Sequence, residues 1–293
     1  MMKQGIVLKG IGGFYYTDTE KGIYECRARG KFRLSDISPL PGDHVIFEAA
    51  EDKTGYLMEI LPRKNELVRP AVANVDNLFI VASTTEPVTD PFLVDKISAI
   101  AIHSKIRVIL CVNKSDLDPS DEFCAIYAEA GFDVIRTSAV SSEGLDDIKR
   151  FLPRKVSVFT GNSGVGKSSL INLLFPEMQQ ETGSLSERIG RGRHTTRKVE
   201  LFKLYIDSYI ADTPGFSAFD LTKMNPLNKE DLENAFPEFS AYLGKCRFSG
   251  CSHVKEKGCA VLKAISEGRI AKSRHESYVR LLGDIKSRKE WAQ

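Results

Sequence analysis

The sequence lacks any apolar run that approaches the roughly 18 residues of a membrane-spanning helix. Its first residues, 1–7, also lack the apolar core of a secretory signal peptide. No heptad pattern is present, and the formal net charge of the chain is only +2. These absences argue against a membrane protein and a secreted one, and we expect a cytoplasmic protein that is a monomer.

The composition is that of an ordinary globular protein. With 293 residues, of which 42% are hydrophobic, the chain is long enough for two or three domains. Its charge is uneven, because residues 226–293 contain 13 Lys or Arg against 9 Asp or Glu. A modestly basic C-terminal end permits a nucleic-acid partner without requiring one.

Residues 161–168 match the G-x-x-x-x-G-K-S pattern of a phosphate-binding loop. An apolar run at 155–160 predicts the strand before it, and residues 169–174 predict the helix after it. Glycines in such a loop let backbone N–H groups surround phosphates at a helix N-terminus. We expect Lys167 to act catalytically on the β and γ phosphates and the Ser168 hydroxyl to bind Mg²⁺. The predicted nucleotide contacts are Gly161, Asn162, Ser163, Gly164, Val165, Gly166, Lys167, Ser168 and Ser169.

A second motif predicts which base is bound. Asn113-Lys114-Ser115-Asp116 follows a buried apolar strand predicted at 106–112. A carboxylate at Asp116 can accept from the guanine N1–H and amine, whereas adenine presents the opposite polarity there. Asn113 is expected at the other purine edge and the stem of Lys114 over the ring. After a further strand at 133–136, Ser138 and Ala139 are expected to offer a backbone N–H to guanine O6.

Two more segments predict a γ-phosphate sensor. Asp212 and Gly215 form a D-x-x-G after a predicted strand, which places a carboxylate near Mg²⁺ and a glycine N–H near the γ-phosphate. In the Gly- and Arg-rich segment 190–197 we expect Thr196 to complete the Mg²⁺ shell, the alternative being a basic loop without switching. No glutamine follows the D-x-x-G, so His194 either positions the attacking water or contacts a partner.

Short alternating runs in residues 1–68 predict a five-stranded barrel of the OB type, with strands at 5–8, 14–16, 22–32, 43–47 and 56–60. In the third run, cations recur at every second position, and a strand would place them on one face. That face could follow a phosphate backbone or simply be solvated. The four cations are Arg27, Arg29, Lys31 and Arg33.

Near the C-terminus, Cys246, Cys251, His253 and Cys259 provide three thiolates and one imidazole within 14 residues. This set is typical of a closed structural Zn²⁺ site, and iron–sulfur ligation usually uses four cysteines. Helices are predicted after residue 228, at 260–266 and at 273–288. The last helix is expected to bury Tyr278, Leu281, Leu282 and Ile285 and to expose Lys272, Arg274, Arg280, Lys286, Arg288 and Lys289.

The motifs span nearly the whole chain and follow the order N-K-S-D, T-S-A, G-N-S-G-V-G-K-S, G-R-H-T-T, D-T-P-G and C-x4-C-x-H-x5-C. With its motifs in this order, the chain resembles the ribosome-small-subunit-dependent GTPase A (RsgA/YjeQ) family. The resemblance implies an OB-fold domain at 1–68, a circularly permuted α/β GTPase domain at 69–225 and a small, mainly helical zinc domain at 226–293. It further implies GTP, Mg²⁺ and Zn²⁺ as cofactors, and binding to the 30S subunit and its 16S rRNA. It also implies that the 30S subunit stimulates the hydrolysis of GTP, late in the maturation of that subunit.

Three interpretations remain open from the residues alone. The chain is a GTPase that acts on 30S assembly, or an rRNA-binding protein whose nucleotide only regulates docking. Alternatively it is another P-loop enzyme, such as a kinase, in which N-K-S-D is accidental and ATP is preferred.

Overall fold

The computed structural model describes residues 1–28, 32, 38–68, 70–176, 199–205, 207–212 and 227–291. The predictions for His194, Thr196 and Gly215 therefore lie outside the described residues, and of Asp212 only the backbone is described. Within the described part of the chain, no helix has the length and apolar character needed to cross a membrane.

The N-terminal strands close into a barrel with the order β1-β2-β3-β5-β4. This confirms the predicted five-stranded barrel. Its interior is filled by alternate side chains of the strands, among them Val7, Phe47 and Leu57, which are fully buried. The strands are β1 (Met2–Ile11), β2 (Phe14–Thr19), β3 (Gly22–Ala28), β4 (His44–Ala49) and β5 (Thr54–Ile60).

The predicted long third strand is wrong beyond Ala28. Strand β3 ends there, and Phe32 has helical backbone conformation, so residues 22–32 do not form one strand. Glycine weakens a strand interior, and Gly30 stands where the prediction ran on. Arg27 lies on β3 and stacks 4.7 Å from the Phe14 ring, whereas Arg29, Lys31 and Arg33 are outside the described residues.

A short antiparallel pair that the sequence did not predict follows the barrel. It consists of β6 (Glu66–Val68) and β7 (Ala71–Ala73). Strands of three residues carry too few alternations to be recognised by periodicity.

The next sheet has six strands in the order β10-β9-β8-β11-β13-β12. Strands β8 and β11 are buried along their whole length, which agrees with their mostly apolar sequences. Strand β12 runs antiparallel to β13, while β11 and β13 are parallel. The strands are β8 (Asn77–Ala82), β9 (Arg107–Asn113), β10 (Asp133–Thr137), β11 (Val156–Gly161), β12 (Leu201–Tyr205) and β13 (Ser208–Asp212).

The helix starts follow local capping chemistry. Helix α1 begins at Pro91 after Asp90, whose side chain accepts from the Phe92 N–H, and this Asp-Pro pair suits the cap and the first position of a helix. Asn228 and Asp231 form a capping box at α5. The helices are α1 (Pro91–His103), α2 (Asp121–Glu129), α3 (Leu145–Lys149), α4 (Lys167–Leu174), α5 (Lys229–Asn234), α6 (Ala260–Ser266) and α7 (Lys272–Trp291), with a 3₁₀ turn at Pro237–Phe239.

The chain divides into two compact units. The first contains Met1–Leu78, Leu145–Thr160 and Ser168–Met224. The second contains Phe79–Gly144, Gly161–Lys167 and Asn225–Gln293, so the phosphate-loop residues 161–167, the N-K-S-D segment and the cysteine cluster belong to the same unit.

Candidate functional site

The phosphate loop is shaped by glycines that no other residue can replace without movement. It leaves β11 at Gly161, where an added Cβ would lie 2.5 Å from the Val81 carbonyl oxygen. Gly166 has φ +93°, and a Cβ there would lie 2.2 Å from Asn113 Nδ2. Gly164 also has positive φ, at +82°. The backbone thus adopts conformations that glycine permits at low cost.

Asn113 joins the phosphate loop to the N-K-S-D segment. Its Nδ2 donates to the Val165 carbonyl oxygen at 2.7 Å, and its Oδ1 accepts from the Thr137 hydroxyl at 3.2 Å. The side chain is buried, with 2% exposure. An amide nitrogen carries two N–H groups, so the bond to Val165 leaves the second one for another acceptor. This role of Asn113 was not foreseen from the sequence.

The other two residues of the motif are held in defined orientations. Lys114 has φ +69°, and its Nζ donates to the Glu86 carbonyl oxygen at 2.5 Å. The exposed Asp116 carboxylate accepts from the Ser138 hydroxyl through Oδ1 at 2.6 Å. Ser138 itself is buried and accepts from the Val140 N–H. The structure therefore brings Asp116 and Ser138 together, with Ala139 next in the chain.

The remaining loop residues stand at the start of α4. Lys167 is its first residue and is buried, with 8% exposure, while Ser168 and Ser169 follow in the first turn. Asp212 is the last residue of β13, and its backbone pairs with Phe159 of β11, two residues before Gly161.

A second candidate site lies in the C-terminal region. One donor atom each from Cys246, Cys251, His253 and Cys259 lies within 4.8 Å of the other three. The Cys246 and Cys259 sulfurs are 3.8 Å apart, and the Cys259 sulfur is 3.3 Å from His253 Nδ1. A tetrahedral zinc with bonds of about 2.3 Å to sulfur separates two sulfur ligands by about 3.8 Å. The donor set and its spacing therefore fit zinc.

Burial opposes ionisation of a thiol in this cluster, whereas backbone N–H groups and a bound cation favour it. Burial raises the pKa of the Cys251 thiol to about 12, and a bound metal ion supplies the positive charge that stabilises a thiolate. The Ala260 N–H donates to the Cys246 sulfur at 3.3 Å, and the Leu262 N–H donates to the Cys259 sulfur at 3.5 Å. Such N–H groups stabilise a negatively charged sulfur.

Glu256 closes the loop that carries the ligands. Burial opposes its ionisation, but backbone N–H groups at 2.8–3.0 Å outweigh that effect and lower the pKa of Glu256 to about 2. These donors belong to Ser252, Val254 and Lys255. The carboxylate is therefore ionised at neutral pH and orders the turn around His253.

The prediction that Arg274 is exposed is wrong. Its side chain on α7 is 1% exposed and donates to Asp95 Oδ1 of α1 at 2.5 Å and to Glu238 Oε1 at 2.8 Å. The guanidinium also lies 4.7 Å from the Phe236 ring centre. A buried cation needs such partners, and these are far away in sequence. The overlooked signal is that Arg274 stands four residues before Tyr278, on the apolar face of the helix.

The other predictions for α7 agree with the structure where its side chains are described. Tyr278, Leu281 and Leu282 are buried, and Ile285 packs against the same core. Lys272, Arg280 and Lys286 are exposed, while the side chains of Arg288 and Lys289 are outside the described ones.

Comparisons with known proteins show which family this chain is similar to. A family model described as "RsgA GTPase" matches residues 60–222, and a model described as "RsgA N-terminal domain" matches residues 4–57. The chain is 46% identical to "Small ribosomal subunit biogenesis GTPase RsgA" of Caldanaerobacter subterraneus, an alignment that covers 98% of this chain and 97% of the relative. It is 42% identical to the protein of the same name from Bacillus cereus, with 98% and 99% covered.

Solved structures show the same architecture. The crystal structure of YjeQ from Thermotoga maritima has a TM-score of 0.82 and 32% identity, covering 97% of this chain and 99% of that one. The crystal structure of YloQ, described as a circularly permuted GTPase, has a TM-score of 0.82 and 34% identity, with 98% and 96% covered.

Proposed function

The chain belongs to the RsgA GTPase family, and from that premise we propose that it binds the 30S ribosomal subunit and hydrolyses GTP to GDP and phosphate, stimulated by that subunit, during late maturation of the subunit. The names of the relatives support the small-subunit assignment. The observation that supports a single guanine-nucleotide site is the hydrogen bond from Asn113 to Val165. It joins the N-K-S-D segment to the phosphate loop.

For the base, we assign guanine recognition to Asp116, with Ser138 orienting its carboxylate and the Ala139 N–H available for guanine O6. The 2.6 Å bond between Ser138 and Asp116 supports this assignment, because it orients the carboxylate and leaves lone pairs on both of its oxygens for the base. Lys114 covers the ring with its stem, a role supported by the anchoring of its Nζ on Glu86. Asn113 offers its second amide N–H to the purine.

For the phosphates, we assign the loop N–H groups of residues 161–169 and the Lys167 ammonium. A GTPase requires Mg²⁺ with its nucleotide, and we place Ser168 and Thr196 in the metal shell, with Asp212 near it and the Gly215 N–H on the γ-phosphate. His194 remains a candidate either for positioning the attacking water or for contacting the partner. The position of Asp212 at the end of β13, beside β11, supports its part of the assignment.

For the C-terminal cluster, we propose one structural zinc bound by Cys246, Cys251, His253 and Cys259. Four protein ligands leave no open position for catalysis, so the zinc stabilises the fold of the region. We also propose domain limits of 1–68, 69–225 and 226–293, a monomeric protein in the cytoplasm, and direct contact with 16S rRNA.

The test is to measure GTP and ATP hydrolysis with no subunit, with purified 30S subunits and with 50S subunits. We expect GTP turnover to rise strongly with 30S alone, and ATP turnover to stay low throughout. The Lys167→Ala variant should lose the stimulated rate, which ties the activity to this site. Tight GTP binding without any stimulation by 30S would contradict the assigned partner.

Asp116→Asn tests the base assignment separately. An amide in place of the carboxylate presents a donor, so affinity should shift from guanine towards xanthine nucleotides. Equilibrium binding of GTP and XTP to both proteins measures the shift. Unchanged preference would contradict guanine reading by Asp116 and would leave the interpretation as another P-loop enzyme open.

A further inference from the structure

The imidazole of His253 has two different neighbours on its two nitrogens. Nδ1 faces the thiol cluster, at 3.3 Å from the Cys259 sulfur and 3.6 Å from the Cys246 sulfur. Nε2 faces away from the cluster, at 3.4 Å from Oε2 of Glu233 on α5. The ring therefore lies between the predicted metal position and a carboxylate.

Burial makes the second contact important. The His253 side chain is 4% exposed and that of Glu233 is 19% exposed. The Oε2 atom of Glu233 is itself buried and, among the described residues, has no group in hydrogen-bond geometry with it. A buried carboxylate oxygen without a donor is costly, and a small rotation of the carboxylate or the ring brings it into line with an N–H on Nε2.

We propose that Glu233 is a positioning residue for the zinc site: it accepts a hydrogen bond from His253 Nε2–H and so presents Nδ1 to the metal. A neutral imidazole carries one N–H and one lone pair, so a proton held on Nε2 leaves the lone pair on Nδ1. A carboxylate in this place also makes the imidazole a stronger donor to the metal. The inference rests on the proposed zinc site.

Glu233 complements groups that hold the backbone of the ligand loop. His275 Nε2 lies 2.6 Å from the His253 carbonyl oxygen, and the Tyr278 hydroxyl donates to the Ser252 carbonyl oxygen at 3.1 Å. These contacts fix where the His253 backbone lies, whereas Glu233 contacts the ring itself. Glu233 does not belong to the set of mutually close donor atoms, so it is placed to orient a ligand and not to be one.

The experiment measures zinc affinity of the full chain by competition with a chromophoric chelator. Glu233→Leu removes the acceptor, and we expect zinc to bind about 10- to 100-fold more weakly. Glu233→Gln keeps an acceptor oxygen but not the charge, so zinc affinity should fall less than in Glu233→Leu. Glu230→Gln is the matched control, because Glu230 is an exposed glutamate on the same helix, and it should change nothing.

A second measurement does not depend on the variants folding. ¹⁵N spectra of the zinc-loaded, unmodified protein should show the His253 proton on Nε2 and a metal-bound Nδ1. A proton on Nδ1, a Glu233→Leu affinity within twofold of the unmodified chain, or an equal loss in Glu233→Gln would each overturn the role of Glu233. Failure of the unmodified chain to bind zinc at all would instead contradict the zinc site on which the inference rests.

Discussion

The nucleotide site and the C-terminal region are organised by different means. In the candidate nucleotide site close approaches of the backbone set the geometry, because an added Cβ at Gly161 or Gly166 would collide with neighbouring atoms. In the C-terminal region side chains set it, through four groups that could hold a metal ion and the ion cluster around Arg274.

The difference shows where each region is vulnerable. A site built from close backbone approaches fails when atoms are added, because there is no room for them. A region built from buried charged and metal-binding groups fails when atoms are removed, because their partners are left without compensation. Three substitutions test this contrast, in order of decreasing expected effect.

The largest effect is expected for Arg274→Met. Methionine has an unbranched side chain of similar length but no charge. The substitution therefore leaves Asp95 and Glu238 without their cation, and their side chains are only 1% and 5% exposed. Removal of one partner from a buried ion cluster costs about 3–5 kcal/mol. We expect the free energy of unfolding, measured by urea titration with circular dichroism, to fall by about that amount.

Two further proteins make this result specific. Lys286→Met changes an exposed lysine on the same helix, and its free energy of unfolding should stay within about 0.5 kcal/mol of the unmodified chain. Adding Asp95→Asn and Glu238→Gln to Arg274→Met removes the stranded charges and should restore part of the loss. A loss below about 1 kcal/mol in Arg274→Met would mean that the cluster is no more important than a surface ion pair.

An intermediate effect is expected for Gly166→Ala. The added Cβ would lie 2.2 Å from Asn113 Nδ2 on a backbone with φ +93°, so the loop must shift. Strain of about 1–3 kcal/mol corresponds to a loss of GTP affinity of about 5- to 150-fold. Titration with a fluorescent GTP analogue measures it.

Gly283→Ala is the comparison for that experiment. Gly283 lies in α7, and an added Cβ there meets no atom within 4 Å. Alanine favours a helix over glycine by about 1 kcal/mol, so this variant should bind GTP normally and be slightly more stable. If the GTP affinity of Gly166→Ala is within threefold of that of the unmodified chain, the close approach of Gly166 to Asn113 is not needed for binding.

The same contrast explains how much the sequence could predict. The barrel, the turn from β11 into α4 at residues 161–168 and the clustering of the four candidate metal-binding groups were predictable, because short motifs and strand periodicity record local backbone requirements. Helix α1 was predictable from one Asp-Pro pair for the same reason.

Features that depend on distant partners were not predictable. Arg274 and Asp95 are 179 residues apart, so nothing near Arg274 in sequence shows that its charge is balanced inside the protein. The Asn113 contact with Val165 spans 52 residues and joins two motifs that were interpreted separately. Cations recur at every second position after Ala28, and this alternation predicts a longer strand. Alternation cannot show where strand pairing ends, and the structure ends this strand at Ala28.

The smallest effect is expected for Ser138→Ala, which removes one hydroxyl from the nucleotide site and so tests the contrast from the opposite side. That hydroxyl donates to Asp116 at 2.6 Å. A hydrogen bond to a charged group contributes on the order of 1.5 kcal/mol, so GTP affinity should fall about tenfold. The preference for GTP over ITP, which lacks the amine, should fall as well, and competition of each nucleotide with a fluorescent GTP analogue measures both quantities. Ser141→Ala, at an exposed neighbouring serine, should leave both quantities unchanged. If Ser138→Ala instead keeps the preference of the unmodified chain for GTP over ITP, the backbone alone orients the Asp116 carboxylate. The nucleotide site then depends even less on side-chain contacts than its contrast with the C-terminal region predicts.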